Sequence, residues 1–341
     1  MKKNREWNVA LVGTSSFRGK EMKGVLDRKN FPFIKAEFFD PDVEDEYSKL
    51  TEFRGEPRVI QYLDKDSLRE TDLVFLASER NVNQKYGNEA FNQKYIAIDL
   101  NETFNTDPKV PLVVSGVNDG LILEQNPSLI ANPHPVTIIL SHVFKLFEGH
   151  LSVKKALAFV LQPVSAFEES GIEELADQSF STLGSTSLSK NVFQTQIAFN
   201  VLSQTEKLDE KGFSSSENQV MEEIKRVFRR QDYPLSLSFV QAPVFHSYSI
   251  MAYVELKEKA GMKDLEKKFR NSPYFKFLPP NPSCPASSVS VAGKDEVFIG
   301  QIKKEEKFPN SFWIWIVADN LTRGSTLNAL ETAQKIISSS I

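Results

Sequence analysis

The sequence predicts an α/β fold in two parts: a doubly wound parallel sheet, then a mixed domain of α+β type. Three observations predict it. Short apolar runs alternate with helix-forming stretches through the first ~130 residues. The first run ends at a turn bounded by Gly13 and Gly19. Beyond Phe147 the alternation stops and strand-like runs follow one another.

The elements follow in order. Trp7 to Val12 is short and apolar, as a strand buried on both faces of a parallel sheet must be. Gly13 to Gly19 is small and polar, and Lys20 to Lys29 is a helix with Met22, Val25 and Leu26 on one face. Further strands are Ile34 to Phe39, Val59 to Leu63, Asp72 to Ala77 and, after a helical stretch holding Tyr86 and Phe91, Tyr95 to Asp99. Val136, Ile139, Leu140, Val143 and Phe147 have helical spacing. In the second part Ala156 to Val164, Leu235 to Phe245 and Ser249 to Leu256 read as strands, and Ile172 to Leu183 and Ser216 to Phe228 as helices. This predicts an open sheet with helices on one face. Thr326 to Ile337 is amphipathic, while Ser214 to Ser216 and Pro279 to Pro282 have the composition of surface loops.

Composition narrows the function classes. A chain of 341 residues suggests two domains at roughly 150 residues each. With 40% hydrophobic and 25% charged residues it can build packed cores. Lys and Arg total 41 against 45 Asp and Glu, and the net charge of -4 gives no footprint for nucleic acid or for an anionic membrane. The one cysteine, Cys284, excludes an internal disulfide framework and a cysteine-built zinc site, and the four histidines lack metal-ligand spacing, so no metal is expected. The most apolar stretch, Phe312 to Ala318, is far short of the ~20 residues of a bilayer helix. The charged start, Met1 to Glu6, leads into no long apolar region. A soluble, cytoplasmic protein is expected.

Several segments together resemble one family. Gly13-Thr14-Ser15-Ser16-Phe17-Arg18-Gly19 stands where a dinucleotide turn belongs. Pro111-Leu112-Val113-Val114, Ala131-Asn132-Pro133 and Gln162-Pro163-Val164-Ser165 follow, then Gly171-Ile172-Glu173-Glu174-Leu175 and Ala198-Phe199-Asn200-Val201. Ala242-Pro243-Val244-Phe245, Val291 to Val297 and Val317-Ala318-Asp319-Asn320-Leu321 complete the set. In order and spacing they resemble aspartate-semialdehyde dehydrogenase over nearly the whole chain. The resemblance implies a Rossmann-like NAD(P)-binding domain at residues 1–131 and 319–341, and an α+β catalytic and dimerisation domain at 132–318. It also implies NADPH-dependent reduction of aspartyl phosphate through a cysteine thioester, and a dimer.

The positions that carry this chemistry depart from the family pattern. Where the family has its nucleophilic cysteine, after Ala-Asn-Pro, this chain has Pro135. A thiolate at a helix N-terminus is what the reaction needs; proline supplies no nucleophile, though it suits the first position of a helix. The family's acid/base histidine corresponds to Tyr248, in His246-Ser247-Tyr248-Ser249. A phenol of pKa near ~10 is a poor base at neutrality. His246, one strand residue before Ser247, points to the same face as Tyr248 and is a candidate substitute. Three substrate-clamping cations of the family correspond to Gln241, Gln219 and Asn105, neutral amides without the charge or the bidentate fork. Gln162, which orients the reacting group, is retained.

The cofactor turn is half kept. Gly13 and Gly19 remain, Ser15, Phe17 and Arg18 lie within the turn, and Ser16 replaces the middle glycine that lets the backbone approach a pyrophosphate. The hydroxyls of Thr14, Ser15 and Ser16 are candidate phosphate donors. Ser78-Glu79 stands in place of a glycine pair, setting an anion near the cofactor. After the second strand, Asp40, Asp42, Glu44, Asp45 and Glu46 replace a 2′-phosphate-binding arginine, and Asp40 is a candidate acceptor for a free ribose 2′-OH, which favours NAD over NADP. Asn320, at the family's cofactor-contacting position, is kept.

The expectation is a catalytically degenerate relative of aspartate-semialdehyde dehydrogenase that works by binding, as a homodimer or as a heterodimer with an active paralogue. Weak binding of NADP or NAD is expected. A second reading stays open: an NAD(P)-dependent oxidoreductase in which Tyr248, His246 and Gln162 polarise a carbonyl for direct hydride transfer.

Overall fold

The computed structural model of the chain describes residues 7–43, 49–149, 151–184, 187–203, 205–279 and 283–339. The expected acidic residues Glu44, Asp45 and Glu46, the charged start Met1 to Glu6 and loop residues Pro280 to Pro282 lie outside them. The chain divides into two compact units, Met1–His134 with Ser325–Ile341, and Pro135–Gly324.

The first unit runs β1 (Asn8–Val12), α1 (Phe17–Arg28), β2 (Lys35–Asp40), β3 (Leu50–Phe53), β4 (Glu56–Tyr62), β5 (Leu73–Leu76), α2 (Arg80–Glu89), β6 (Ile96–Asp99), α3 (Gly120–Gln125) and β7 (Leu129–Ala131). The sheet order is β3-β4-β2-β1-β5-β6-β7, parallel throughout except for the antiparallel β3–β4 pair. Leaving β3 aside, this is the doubly wound order of a dinucleotide-binding sheet. The all-apolar runs of β5 and β7 are buried along their whole length, as a sheet covered on both faces requires. Of the β3–β4 hairpin, β4 overlaps the predicted strand Val59 to Leu63, while β3 lies outside the predicted strands. The hairpin's two-residue loop is Arg54-Gly55, both at positive φ (54° and 73°), a primed turn whose asparagine or aspartate signal is missing here.

The second unit runs α4 (Pro135–Lys145), β8 (Val153–Gln162), α5 (Glu168–Gly184), α6 (Ser215–Val227), β9 (Leu235–Gln241), β10 (Tyr248–Leu256), α7 (Met262–Asn271), β11 (Phe275–Phe277), α8 (Ser288–Val291), β12 (Val297–Lys304) and β13 (Ser311–Ala318). These strands form one sheet in the order β11-β12-β13-β10-β8-β9. Residues of α4, α6 and α7 such as Val136, Val220, Ile224, Leu265 and Phe269 pack with Val160, Ile250 and Ile314 in the main core of this unit. The other sheet face carries apolar side chains too. Register aligns Phe159, Met251 and Trp315 across three strands, and Leu157, Tyr253 and Trp313 in the next row. Phe159 is 48% exposed and Leu157 46%. On the same face a groove of about 680 Å³ runs beside Trp315, Met251 and Ala286.

The predicted strand Leu235 to Phe245 ends at Gln241, because Ala242 to Ser247 forms a looping connection and Ser247 takes φ +73°. The predicted strand Ala156 to Val164 ends at Gln162, where Val164 to Phe167 closes a 3₁₀ turn. The amphipathic C-terminal stretch is α9 (Leu327–Ser339) and belongs to the first unit. Its Leu327, Leu330, Ala333 and Ile336 pack with Val9, Leu11, Met22 and Val113. Among the described residues no helix is long and apolar enough to cross a membrane.

Candidate functional site

The expected catalytic positions of the second unit gather at one end of its sheet. Pro135 opens α4, buried, where the ring costs no hydrogen bond. A Cβ placed on Gly324 would lie 2.9 Å from the Pro135 Cβ, so the ring rests on a glycine that leaves it just enough room. Gly324 belongs to the Asp319–Gly324 turn, which Asp319 organises. Its Oδ1 accepts from the N–H of Leu321 (2.9 Å) and of Thr322 (2.7 Å), and its Oδ2 from Gly293 N–H (2.9 Å). Next to it, Asn320 Oδ1 accepts from Ser247 N–H (3.0 Å) and from the Ser165 hydroxyl (3.2 Å). The retained asparagine therefore ties the ends of β8, β10 and β13 together.

Gln162 and Gln241 are register partners at the ends of β8 and β9. Gln241 Nε2 donates to Gln162 O (3.0 Å) and to Ala242 O (3.2 Å), and its side chain is buried. Glu217 is buried beside it and spent locally. One oxygen accepts from Ser214 N–H (2.7 Å), closing the capping box of α6, and the other from Phe239 N–H (2.7 Å). Gln219 Nε2 donates to Glu223 Oε1 at 2.8 Å. The cavity lined by Gln162, Ser214, Glu217, Phe239 and Gln241 holds about 10 Å³. That is the scale of a single water.

Tyr248 is 2% exposed and packs against Phe239, ring centroids 6.3 Å apart, within the apolar core. His246 does not share a strand face with it. The residue precedes β10 and the left-handed Ser247 interrupts the pleat, so the alternation argument fails there. Cys284, the chain's one thiol, is exposed in the loop before α8. Asn105 belongs to the first unit, where its Nδ2 donates to Asn132 O (3.2 Å).

In the first unit the turn Gly13–Gly19 is tightly closed. Gly13 has φ +84°, and a Cβ there would lie 2.5 Å from Ser78 N; a Cβ on Gly19 would run into the Gly13 carbonyl. Both glycines are therefore required by backbone packing alone. Two of the three hydroxyls expected as phosphate donors are engaged. Thr14 Oγ1 donates to Leu11 O (3.1 Å), and Ser16 Oγ donates to Ala77 O (2.7 Å) while capping α1 through Gly19 N–H (2.9 Å). Asp40, expected to meet a ribose, is 2% exposed; it accepts from Ser15 N–H (3.1 Å) and pairs with Lys49 (3.0 Å). Arg18 donates to Leu100 O and pairs with Glu102 (3.2 Å). Glu79 precedes α2, exposed and without a capping bond. A pyrophosphate needs a bare backbone at the middle of the turn and no carboxylate beside it. These residues do not fit that requirement.

Sequence reasoning missed the polar side chains that hold these ends. Asp99 accepts from Thr103 N–H (2.6 Å), Phe104 N–H (3.2 Å), Asn101 N–H (3.2 Å) and Asn83 Nδ2 (3.1 Å). Burial pushes its carboxyl above the usual range, against those donors. Asn328 of α9 accepts from Ser115 N–H (2.9 Å) and donates to Val113 O and Asn132 Oδ1. Glu174 and Gln178 of α5 fix the following segment through Val192, Phe193, Ile197 and Ala198 N–H. The signal was a polar residue closing or interrupting an apolar run, as in Ile96-Ala97-Ile98-Asp99.

A doubly wound nucleotide-type unit, interrupted before its last helix by an α+β unit with an apolar open sheet face, defines the class of two-domain dehydrogenase folds. Residues 8–125 match the semialdehyde dehydrogenase NAD-binding domain, and residues 146–323 the semialdehyde dehydrogenase dimerisation domain. The chain belongs to the semialdehyde dehydrogenase family. It is 27% identical over 335 residues to an aspartate-semialdehyde dehydrogenase of Shewanella violacea, covering 98% of each chain. To that of Bacillus subtilis it is 26% identical over 345 residues, covering 97% of this chain and 98% of the other. Among solved structures, aspartate semialdehyde dehydrogenase II of Vibrio cholerae, complexed with ASA, shares the fold. The TM-score is 0.92 at 24% identity, over 99% of this chain and 100% of that one.

Proposed function

We propose that this chain is a non-catalytic member of its family, a dimeric cytoplasmic protein that acts by binding rather than by reducing aspartyl phosphate. The observation that carries the reading is Pro135, seated on Gly324 at the first position of α4, where the family reaction needs a thiolate. Its surroundings support it. Gln241 is turned into backbone hydrogen bonding, the cavity beside it is of water size, and Tyr248 is packed as a core residue. Loss of an essential nucleophile or base costs on the order of 10⁴ to 10⁶ in turnover. No compensating thiol lies in the sequence of α4 or β10.

The second unit supports the dimer. Its open face sets Leu157, Phe159, Met251, Tyr253, Trp313 and Trp315 side by side in two rows. A contiguous apolar face of this kind marks an interaction surface, and a second copy of the chain is its partner in this proposal. The test of the main reading is phosphate-dependent reduction of NADP with aspartate semialdehyde, followed by nicotinamide absorbance. The expected result is no turnover above the enzyme-free rate. Turnover within tenfold of a cysteine-bearing relative overturns the proposal.

A further inference from the structure

In open α/β sheets, ligands are held at the carboxyl ends of the strands, where loop backbone and helix N-termini are left unsatisfied. Here many groups of that edge are held from within. At the end of β2, Asp40 takes Ser15 N–H and Lys49. At the end of β5, Ala77 O takes the Ser16 hydroxyl and Asn101 Nδ2, and Ser78 N–H goes to Asn83 Oδ1. At the end of β6, Asp99 collects three backbone N–H groups. The cation of the turn, Arg18, is paired with Glu102.

We infer that the NAD-binding unit of this chain has closed its own dinucleotide site. Ser16 fills the middle of the turn and locks it to Ala77, and Glu79, exposed, adds a negative charge one residue after Ser78, whose backbone packs against Gly13. A pyrophosphate entering the turn would have to displace the Ser16 hydroxyl from two partners and approach Glu79 against like charge. At the ribose end Asp40 Oδ1 already accepts from Ser15 N–H, and the carboxylate is ion-paired with Lys49. The turn is thereby a structural knot joining β1, α1 and β5. The inference does not depend on the absence of catalysis: a chain without a nucleophile can still bind nucleotide.

The experiment is equilibrium titration of the full-length chain with NADH and NADPH by nicotinamide fluorescence, and with NAD and NADP by calorimetry. The wild type is compared with Glu79→Ala and with Ser16→Gly/Glu79→Ala, each checked for folding by circular dichroism. Glu79 is exposed, so its substitution leaves the fold intact even if the double variant does not fold. The expected result is no saturation of the wild type up to about 1 mM, a range that corresponds to negligible specific binding. At least a tenfold gain in affinity is expected in Glu79→Ala and a larger one in the double variant. Saturation of the wild type below about 100 μM with any of the four overturns the inference and leaves the non-catalytic reading untouched. If the wild type does not bind and neither folded variant gains affinity, the assignment of the closure to Ser16 and Glu79 is overturned.

Discussion

Restoring the two missing reactive groups, with Pro135→Cys and Tyr248→His in one chain, should not restore the family reaction. The cysteine would stand at the first position of α4, where a helix N-terminus favours a thiolate. Three cation positions would still hold Gln241, Gln219 and Asn105. A hydrogen bond to a charged group contributes about 1.5–3 kcal/mol against about 1 for a neutral pair. Each amide therefore forfeits about 0.5–2 kcal/mol, and three forfeit about 1.5–6 kcal/mol, or roughly 10 to 10⁴ in kcat/KM. The structure adds to this. Gln241 is held by Gln162 O and Ala242 O, and the neighbouring cavity of about 10 Å³ must open before a substrate carboxylate enters. The histidine would also replace a side chain that is 2% exposed among core residues, where desolvation opposes the imidazolium. The assay is phosphate-dependent NADP reduction, run also in the Ser16→Gly/Glu79→Ala background so that nucleotide access is not limiting. Urea melts would confirm folding. Activity within about tenfold of a cysteine-bearing relative, at the lower end of the amide penalty, would show that the three amides matter less than their chemistry requires.

Two further outcomes are expected. Phe159→Glu or Trp313→Glu places a charge on the open sheet face and should shift the chain from dimer to monomer in sedimentation velocity, without changing its circular dichroism; an unchanged dimer would move the interface elsewhere. His142 is fully buried, stacked on Tyr274 at 4.2 Å, and burial together with nearby Arg323 pulls its pKa down to about 3. Its stabilising share is present above the unfolded pKa of about 6.5 and is lost as pH falls toward 3, because the unfolded chain takes up the proton first. At pH 5 the loss is about 2 kcal/mol, and His142→Phe should remove this share of the difference between urea melts at pH 7.5 and pH 5.

Much of the first unit was legible because parallel strands buried on both faces leave continuous apolar runs. Trp7 to Val12 and Asp72 to Ala77 each contain a strand of the sheet. β3 and its turn to β4 were not, since Arg54-Gly55 carries only half of the expected turn signal. In the second unit, β13 was noticed only as an apolar stretch, Phe312 to Ala318; one of its neighbours, β10, lies more than fifty residues back, and nothing local says so. The substituted positions were legible from the motifs around them. What each side chain does was not. That Ser16, Asp40 and Asn320 are held by protein groups depends on partners up to 155 residues away. The face of His246 was misjudged because one left-handed residue, Ser247, is invisible to a period-two argument.

The last helix has a consequence for how the molecule is made. Because α9 supplies Leu327, Leu330 and Ile336 to the packing around β1 and α1, a chain emerging from the ribosome holds β1 and α1 unfinished until Ile336 has been translated. The inserted Pro135–Gly324 segment has all of its own strands earlier and can collapse first. The amino-terminal part must then wait, partly wet, for a contact more than three hundred positions downstream. Closing so long a loop makes its final step slow relative to local helix formation. Deleting that helix should therefore leave the inserted segment protected in hydrogen exchange and the leading strands open.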